Sequence, residues 1–186
     1  MNIVFGLGET QFGLLLGGET KTGLCFTGMV HSDDNLQQII ATSFPNAISH
    51  RDDSKLKPTL KILKTKLSGI KCDSKIRLDV QGTTFQKTVW QSLSNIPPGE
   101  TRSYSELADT IGKPKAARAV GSACGRNPLA FVFPCHRILG KNGNLAGFRW
   151  GKDIKQALLE SEQSNTSDSL NSTWFDNDSF YLCKSF

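Results

Sequence analysis

One stretch of the chain concentrates nucleophilic chemistry. Pro134-Cys135-His136-Arg137 sets a thiol beside a base and a cation. A thiol attacks as its thiolate, and neighbouring cations and bases favour that form. A cysteine taken at random is more often a small core hydrophobe than a nucleophile, so it is the company of Cys135 that marks it. His136 follows directly, and adjacent side chains of an extended segment point to opposite faces. The spacing therefore predicts that the two do not touch, and that a bridging water relays the proton between them. The motif points to a reactive thiol and names no reaction. With Cys25, Cys72, Cys124 and Cys183 the cysteines number five, and none forms a Cys-x-x-Cys pair. That is a poor disulfide framework and a poor zinc site. Cys124 reads as packing and the other three as inert, free thiols in a reducing cytoplasm. His31 and His50 read as surface residues, and no metal or cofactor is expected.

The elements that must hold this stretch in place are legible around it. Leu129 to Phe133 is a continuous apolar run, expected as a buried strand or extended segment that Pro134 ends. Upstream, Thr84 to Leu93 has helical spacing, with Phe85, Val89, Trp90 and Leu93 on one face, and Pro97-Pro98-Gly99 stops it. Ser103 with Glu106 has the spacing of a capping box for a helix to about Thr110. Gly112 stands where a left-handed residue ends such a helix, and Lys115 to Cys124 is a second short helix. Two short helices joined by a glycine-containing link form a helix-turn-helix candidate. Asn142-Gly143 marks a turn, and Lys152 to Ser161 is a final helix carrying Ile154, Leu158 and Leu159.

The first eighty residues have another character. Ile3-Val4-Phe5, Gly13 to Leu16 and Gly23 to Phe26 read as meander strands, with Gly17-Gly18 as a turn. Asp34 to Phe44 and Pro58 to Leu67 read as helices, the former capped by Asp33 or Asp34, and Lys75 to Val80 as a strand. The expected architecture is an α/β N-terminal domain over 1–80, then a mainly α domain with a helix-turn-helix over 81–163. Residues 164–186, rich in Ser, Asn and Asp, read as a disordered tail.

The chain has 186 residues, enough for two small domains, and a formal net charge of +5. The acidic tail hides part of the basicity of the body. No apolar run is long enough to span a bilayer. The start lacks a basic region and carries Glu9, so no signal peptide is expected. These features point to a monomer in the cytoplasm (the nucleus in a eukaryote) with no membrane partner.

From about Gly82 to Glu162 an ordered set of short motifs resembles the methylated-DNA–protein-cysteine alkyltransferase family. It comprises Phe85-Gln86, Val89-Trp90, Ile96 to Thr101, Ser103-Tyr104, Gly112 to Val120, Asn127-Pro128, Phe133 to Ile138, and Leu158-Leu159 with Glu162. Met1 to Val80 resembles the family's variable N-terminal domain in length and order only. The resemblance implies direct-reversal repair, a single irreversible transfer of an alkyl group, mainly methyl, from O6-alkylguanine in double-stranded DNA, with O4-alkylthymine as a second candidate. Cys135 would accept the alkyl group, His136 would act as a water-mediated base, Glu162 would orient it, and Asn127 would brace the active-site turn. Tyr104 would help to rotate the nucleotide out, and Arg118 would fill the gap it leaves. The backbone at Cys135, Ile138 and Arg149 would line the base pocket. No cofactor and no metal is implied.

The chemistry agrees with that assignment. An O6-alkyl group inside duplex DNA is out of reach of a thiolate until the base is flipped, at a cost of a few kcal/mol. Ala116, Ala117, Ala119, Gly121, Ser122 and Ala123 make the second short helix small-sided. Small residues suit close approach in a minor groove better than base reading in a major groove. Lys113, Lys115, Arg126 and Lys141 are candidates for salt-dependent phosphate contacts. Arg137 reads as a buried ion pair. The bulky loop Phe148-Arg149-Trp150 predicts faster repair of methyl than of benzyl adducts. Three competitors remain: a catalytically silent protein that binds alkylated bases, a DNA-binding regulator, and a cysteine hydrolase. The retained Cys135, His136, Asn127 and Glu162 argue against the first, the small helix face against the second, and the lack of a recognisable oxyanion hole against the third.

Overall fold

In the computed structural model the described residues are 1–33, 35–70, 72 and 74–165. These divide into two compact units, Met1–Gln81 and, of the described residues, 82–165. The expected tail lies outside the described residues from 166 on, while residues 164 and 165 belong to the last helix.

The first unit is a four-stranded sheet in the order β3-β2-β1-β4. Strands β1 (Asn2–Thr10), β2 (Gly13–Glu19) and β3 (Leu24–Val30) form an antiparallel meander. Strand β4 (Ile48–Arg51) runs parallel to β1 after the helix α1 (Leu36–Ser43). The helix α2 spans Asp53–Leu67. Adjacent glycines show how the helices cover the sheet. A Cβ at Gly17 would lie 2.9 Å from Leu60 Cδ2 of α2, and one at Gly18 would lie 3.6 Å from Ile40 Cδ1 of α1. Successive strand residues face opposite sides, so α1 and α2 pack on opposite faces and close the core of Ile3, Leu15, Leu16, Phe26, Ile40 and Leu56.

Several sequence expectations are corrected here. Gly17-Gly18 is no turn; it sits inside β2, where missing side chains let both helices approach. Neither Asp33 nor the helix start behaves as expected. Asn35, in left-handed conformation, precedes α1 without a side-chain cap, because the Asp33 carboxylate is taken by Arg51 at 3.2 Å; Asp34 is outside the described residues. Helix α2 begins ahead of Pro58, since Asp52 caps it by accepting from the Lys55 N–H at 3.0 Å. Lys75 to Val80 makes one bridge, Leu24 to Leu78, rather than a strand. Its alternation reflects burial of Ile76, Leu78 and Val80, which a single bridge satisfies as well as a ladder does.

The second unit is mainly helical. Helix α3 (Thr84–Ser94) starts with a full capping box between Thr83 and Gln86. Helix α4 (Tyr104–Thr110) starts with the expected one between Ser103 and Glu106, and Gly112 has φ +70°. A 3₁₀ turn (Pro114–Ala116) leads into α5 (Ala117–Gly125), which completes the helix-turn-helix. Trp90 on α3 donates from Nε1 to the Ala123 carbonyl at 2.8 Å and stacks on Phe133 with centroids 6.4 Å apart. The run Leu129–Phe133 is buried but coiled, not extended. The Leu129 carbonyl accepts from both Val132 and Phe133 N–H groups, and Asn127 supplies hydrogen bonds that a sheet would otherwise provide. Strands β5 (Arg102–Ser103) and β6 (Ile138–Leu139) pair in parallel, tying the start of α4 to the residues just after Cys135. Helix α6 runs Lys152–Asn165.

Candidate active site

Cys135, His136 and Arg137 form a 3₁₀ turn with all three residues buried. The expected extended geometry is therefore replaced by one in which successive side chains fan out by about 120°. The turn is set by short hydrogen bonds, Cys135 N–H to the Phe133 carbonyl at 2.7 Å and Arg137 N–H to the Pro134 carbonyl at 3.0 Å. Asn127 braces it: Nδ2 donates to the Phe133 carbonyl at 2.8 Å, and Oδ1 accepts from the Leu129 N–H at 3.0 Å. Asn127 is itself buried, so its amide is committed to the loop that carries the thiol.

Helix α6 brings Glu162 to this turn. One carboxylate oxygen lies 2.8 Å from His136 Nε2. Arg137 reaches both oxygens, from Nε at 3.0 and 3.2 Å and from a terminal nitrogen at 2.8 Å. Another terminal nitrogen of Arg137 donates to the Ile96 carbonyl, and Gly99 N–H donates to Glu162 at 3.3 Å. Burial pushes the Glu162 carboxyl up, but the hydrogen bond and charge of His136, then those of Arg137, outweigh it and hold the pKa at about 2. The carboxylate is charged, and the adjacent guanidinium already balances it. His136 is pushed below its ordinary value by burial, against the pull of Glu162. A neutral imidazole with Nε2–H given to Glu162 leaves Nδ1 as an acceptor, and Nδ1 is buried without a hydrogen-bond partner among the described residues.

The thiol of Cys135 is pushed up by burial, while a hydrogen bond from the Asn127 side chain and the charge of Lys155 draw it back down. Lys155 escaped the sequence reading. It is fully buried, and Nζ donates to the Ile138 and Leu145 carbonyls at 2.5 Å each. A signal existed: Lys155 lies one helical turn from Leu158 and Leu159, on the apolar stripe of α6, where a cation needs internal partners. Tyr104, at the start of α4, is half-buried, and its hydroxyl is pushed up by burial and by the Cys124 and Cys135 thiols. Its ring lies 3.6 Å from where a Cβ on Gly121 would stand, so a small residue on α5 lets the ring lie against that helix.

The remaining sequence candidates are placed more loosely. Ile138 is buried in β6, with its carbonyl held by Lys155. Ala117 is half-buried and Arg118 exposed at the start of α5. Phe148 is half-buried, and the Arg149 guanidinium lies 5.1 Å over the Trp150 ring. Among the described residues there is no cluster of three or more His, Cys, Asp or Glu able to hold a metal. No described helix is long and apolar enough to cross a membrane.

Comparison with known proteins fits this geometry. Residues 84–164 match the family described as 6-O-methylguanine DNA methyltransferase, DNA binding domain. The chain is 41% identical over 162 residues to the regulatory protein ada of Salmonella typhimurium, covering 87% of this chain but only 46% of that protein; it thus spans about half the length of that relative. It is 39% identical to the inducible methylated-DNA–protein-cysteine methyltransferase of Bacillus subtilis, covering 80% of this chain and 84% of the relative. A Mycobacterium tuberculosis OGT solved in complex with DNA superimposes with TM-score 0.72 at 35% identity, over 95% of this chain and all of that one. A capped, helix-turn-helix unit that buries Pro-Cys-His-Arg against a Glu-bearing helix, together with these likenesses, shows that the chain belongs to the methylated-DNA–protein-cysteine methyltransferase family.

Proposed function

We propose that the protein repairs DNA by moving a methyl group from O6 of guanine onto the sulfur of Cys135, once per molecule. The observation that carries this reading is the buried His136, held at Nε2 by Glu162, with Nδ1 buried and without a hydrogen-bond partner among the described residues; with Nε2–H given to Glu162, Nδ1 is the acceptor. A water between Nδ1 and the thiol takes the Cys135 proton as the sulfur approaches the O6-methyl carbon. The S–C bond forms as the C–O6 bond breaks, the electron pair stays on the base, and the proton lost by the thiol is balanced by the one guanine gains. The thioether has no easy leaving group, so the reaction is stoichiometric. Because burial holds the resting thiol protonated, ionisation is coupled to substrate arrival, which limits side reactions of a free thiolate.

Duplex DNA is the partner, met as a monomer from the minor-groove side. The outer face of α5 carries Ala119, Ser122 and Gly125 beside Arg118, small residues that permit close approach and a long cation that fills the gap left by a flipped base. Tyr104 crowds the rotating nucleotide, and Ile138 with Arg149 lines the pocket. The free thiols Cys25, Cys72, Cys124 and Cys135 fit a reducing compartment, the cytoplasm or a nucleus. The aromatic loop at Phe148 and Trp150 narrows the pocket, so methyl is transferred faster than benzyl; equal single-turnover rates overturn that preference.

Intact mass before and after mixing with an oligonucleotide bearing one O6-methylguanine tests the reaction. A stoichiometric gain of about 14 Da, absent in Cys135→Ala, is expected for S–H replaced by S–CH₃. Tight binding without a mass gain would point to a silent reader of alkylated bases, and repeated product release without a mass gain to a turnover enzyme.

A further inference from the structure

The first unit carries a basic surface that neither its fold nor the reaction explains. From Ser54 to Ile70 the chain contains Lys55, Lys57, Lys61, Lys64 and Lys66 and no Asp or Glu. Lys66 turns inward, where Nζ donates to the Cys72 carbonyl at 3.1 Å. Lys55, Lys57, Lys61 and Lys64 are exposed, and none of these four side chains has an ion pair among the described residues. The nearby carboxylates are committed elsewhere. Asp52 caps α2, Asp53 pairs with Arg51 and accepts the Leu7 N–H, and Glu19 accepts from Thr59. Lys57, Lys61 and Lys64 follow the i, i+4, i+7 spacing of one helical stripe. Like charges at that spacing destabilise an exposed helix, so the fold would be served better by a mixed-charge face.

We propose that this stripe is a second contact for duplex DNA, made to its phosphates and independent of sequence. It rests on the reading of duplex DNA as the partner. Seven residues of helix rise about 10 Å, and phosphates along one strand advance about 3.4 Å each. The stripe thus spans about three phosphate steps along a strand, room for each of the three lysines to meet its own phosphate. Such a contact adds affinity for any duplex, which a protein searching for rare lesions needs, and leaves alkyl transfer itself to the second unit.

The test uses the full-length protein and Lys57→Gln/Lys61→Gln/Lys64→Gln, with Lys21→Gln in the β2–β3 turn as the control. Binding of an unmodified duplex is followed by fluorescence anisotropy across a salt series, and transfer from free O6-methylguanine base is timed in parallel. The triple variant is expected to lose about 2 to 3 units of the slope of log K against log salt, near 0.9 per phosphate. Transfer from the free base should be unchanged, and the urea midpoint should not fall. An unchanged slope with transfer intact overturns the stripe alone. Equal loss per lysine in the triple variant and in Lys21→Gln also overturns it, as a general charge effect. Failure of the repair reading is separate: the wild type would then show no transfer, while a slope lost in the triple variant would still support the contact.

Discussion

Each unit of the molecule holds an arginine in a charged cluster, one with two carboxylates and one with a shared carboxylate, and the two clusters behave differently. In the first unit Arg51 bridges Asp33 and Asp53 at 3.2 and 3.0 Å, with side chains 41%, 61% and 46% exposed. In the second, Arg137 and His136 share Glu162 at 2.8 Å, with side chains 2%, 3% and 12% exposed. The distances are nearly equal, and the surroundings differ. Water screens the first cluster and can replace any partner that is lost. Nothing replaces a partner in the second, because its charges left water on folding and depend on one another. Contact geometry alone therefore does not rank these clusters; burial does. The exposed one joins the end of β4 to Asp33 and Asp53, and the buried one holds the Glu162 carboxylate ionised beside His136.

The sharpest way to break the comparison is Glu162→Ala. It strands the Arg137 charge and removes the orienter of His136, so stability should fall by about 3–5 kcal/mol. The rate of methyl transfer should fall by about 10²-fold or more, the scale of general-base loss. Urea denaturation and single-turnover kinetics read the two effects, and a change no larger than that of an exposed pair would refute the account. Asn127→Ala comes next. It removes one of two donors to the Phe133 carbonyl, which keeps the Cys135 N–H, and takes from the buried Leu129 N–H its acceptor, at about 1–3 kcal/mol for that N–H. It should also slow transfer, because the loop that presents Cys135 loosens; unchanged transfer would show that the brace is dispensable.

Acid should distinguish the clusters as well. The Glu162 pKa is lowered from 4.5 to about 2. A depressed carboxylate contributes stability that is full above its unfolded pKa and is lost as pH falls from about 4.5 toward 2. His136 is lowered from 6.5, so protonation of the unfolded chain already begins to draw stability away as pH falls below 6.5. Both slopes have the same sign, and the urea midpoint of the wild type should decline in two stages. In Glu162→Gln the lower stage should flatten; a decline identical to wild type would refute the assignment. The smallest effect is expected from Asp33→Asn, which should shift the midpoint slightly, less still at high salt, and leave transfer unchanged.

Local signals carried well. The Ser103–Glu106 capping box, the left-handed Gly112 and the α3 face of Val89, Trp90 and Leu93 depend on residues three or four apart, and all were legible. Gly17-Gly18 was misjudged because glycine marks both turns and close packing, and only the position of α1 and α2 separates the two. Leu129–Phe133 was misjudged because an apolar run reports burial and not backbone shape. Lys155 stood on an apolar stripe, yet nothing local showed which carbonyls would receive it.

The sequence by itself singled out the candidate nucleophile and its neighbours and determined the family, because those rest on residue type and short spacing. The tertiary structure alone decided that Glu162 serves both His136 and Arg137 across 26 and 25 residues, and that His136 Nδ1 is buried without a hydrogen-bond partner among the described residues. It also decided that Lys155 is buried, bonded to the Ile138 and Leu145 carbonyls, where its charge acts on the thiol. The physical reason is that the pKa values of these groups are set by desolvation and by charges a few ångströms away, and both exist only after α6 has packed against the Cys135 turn.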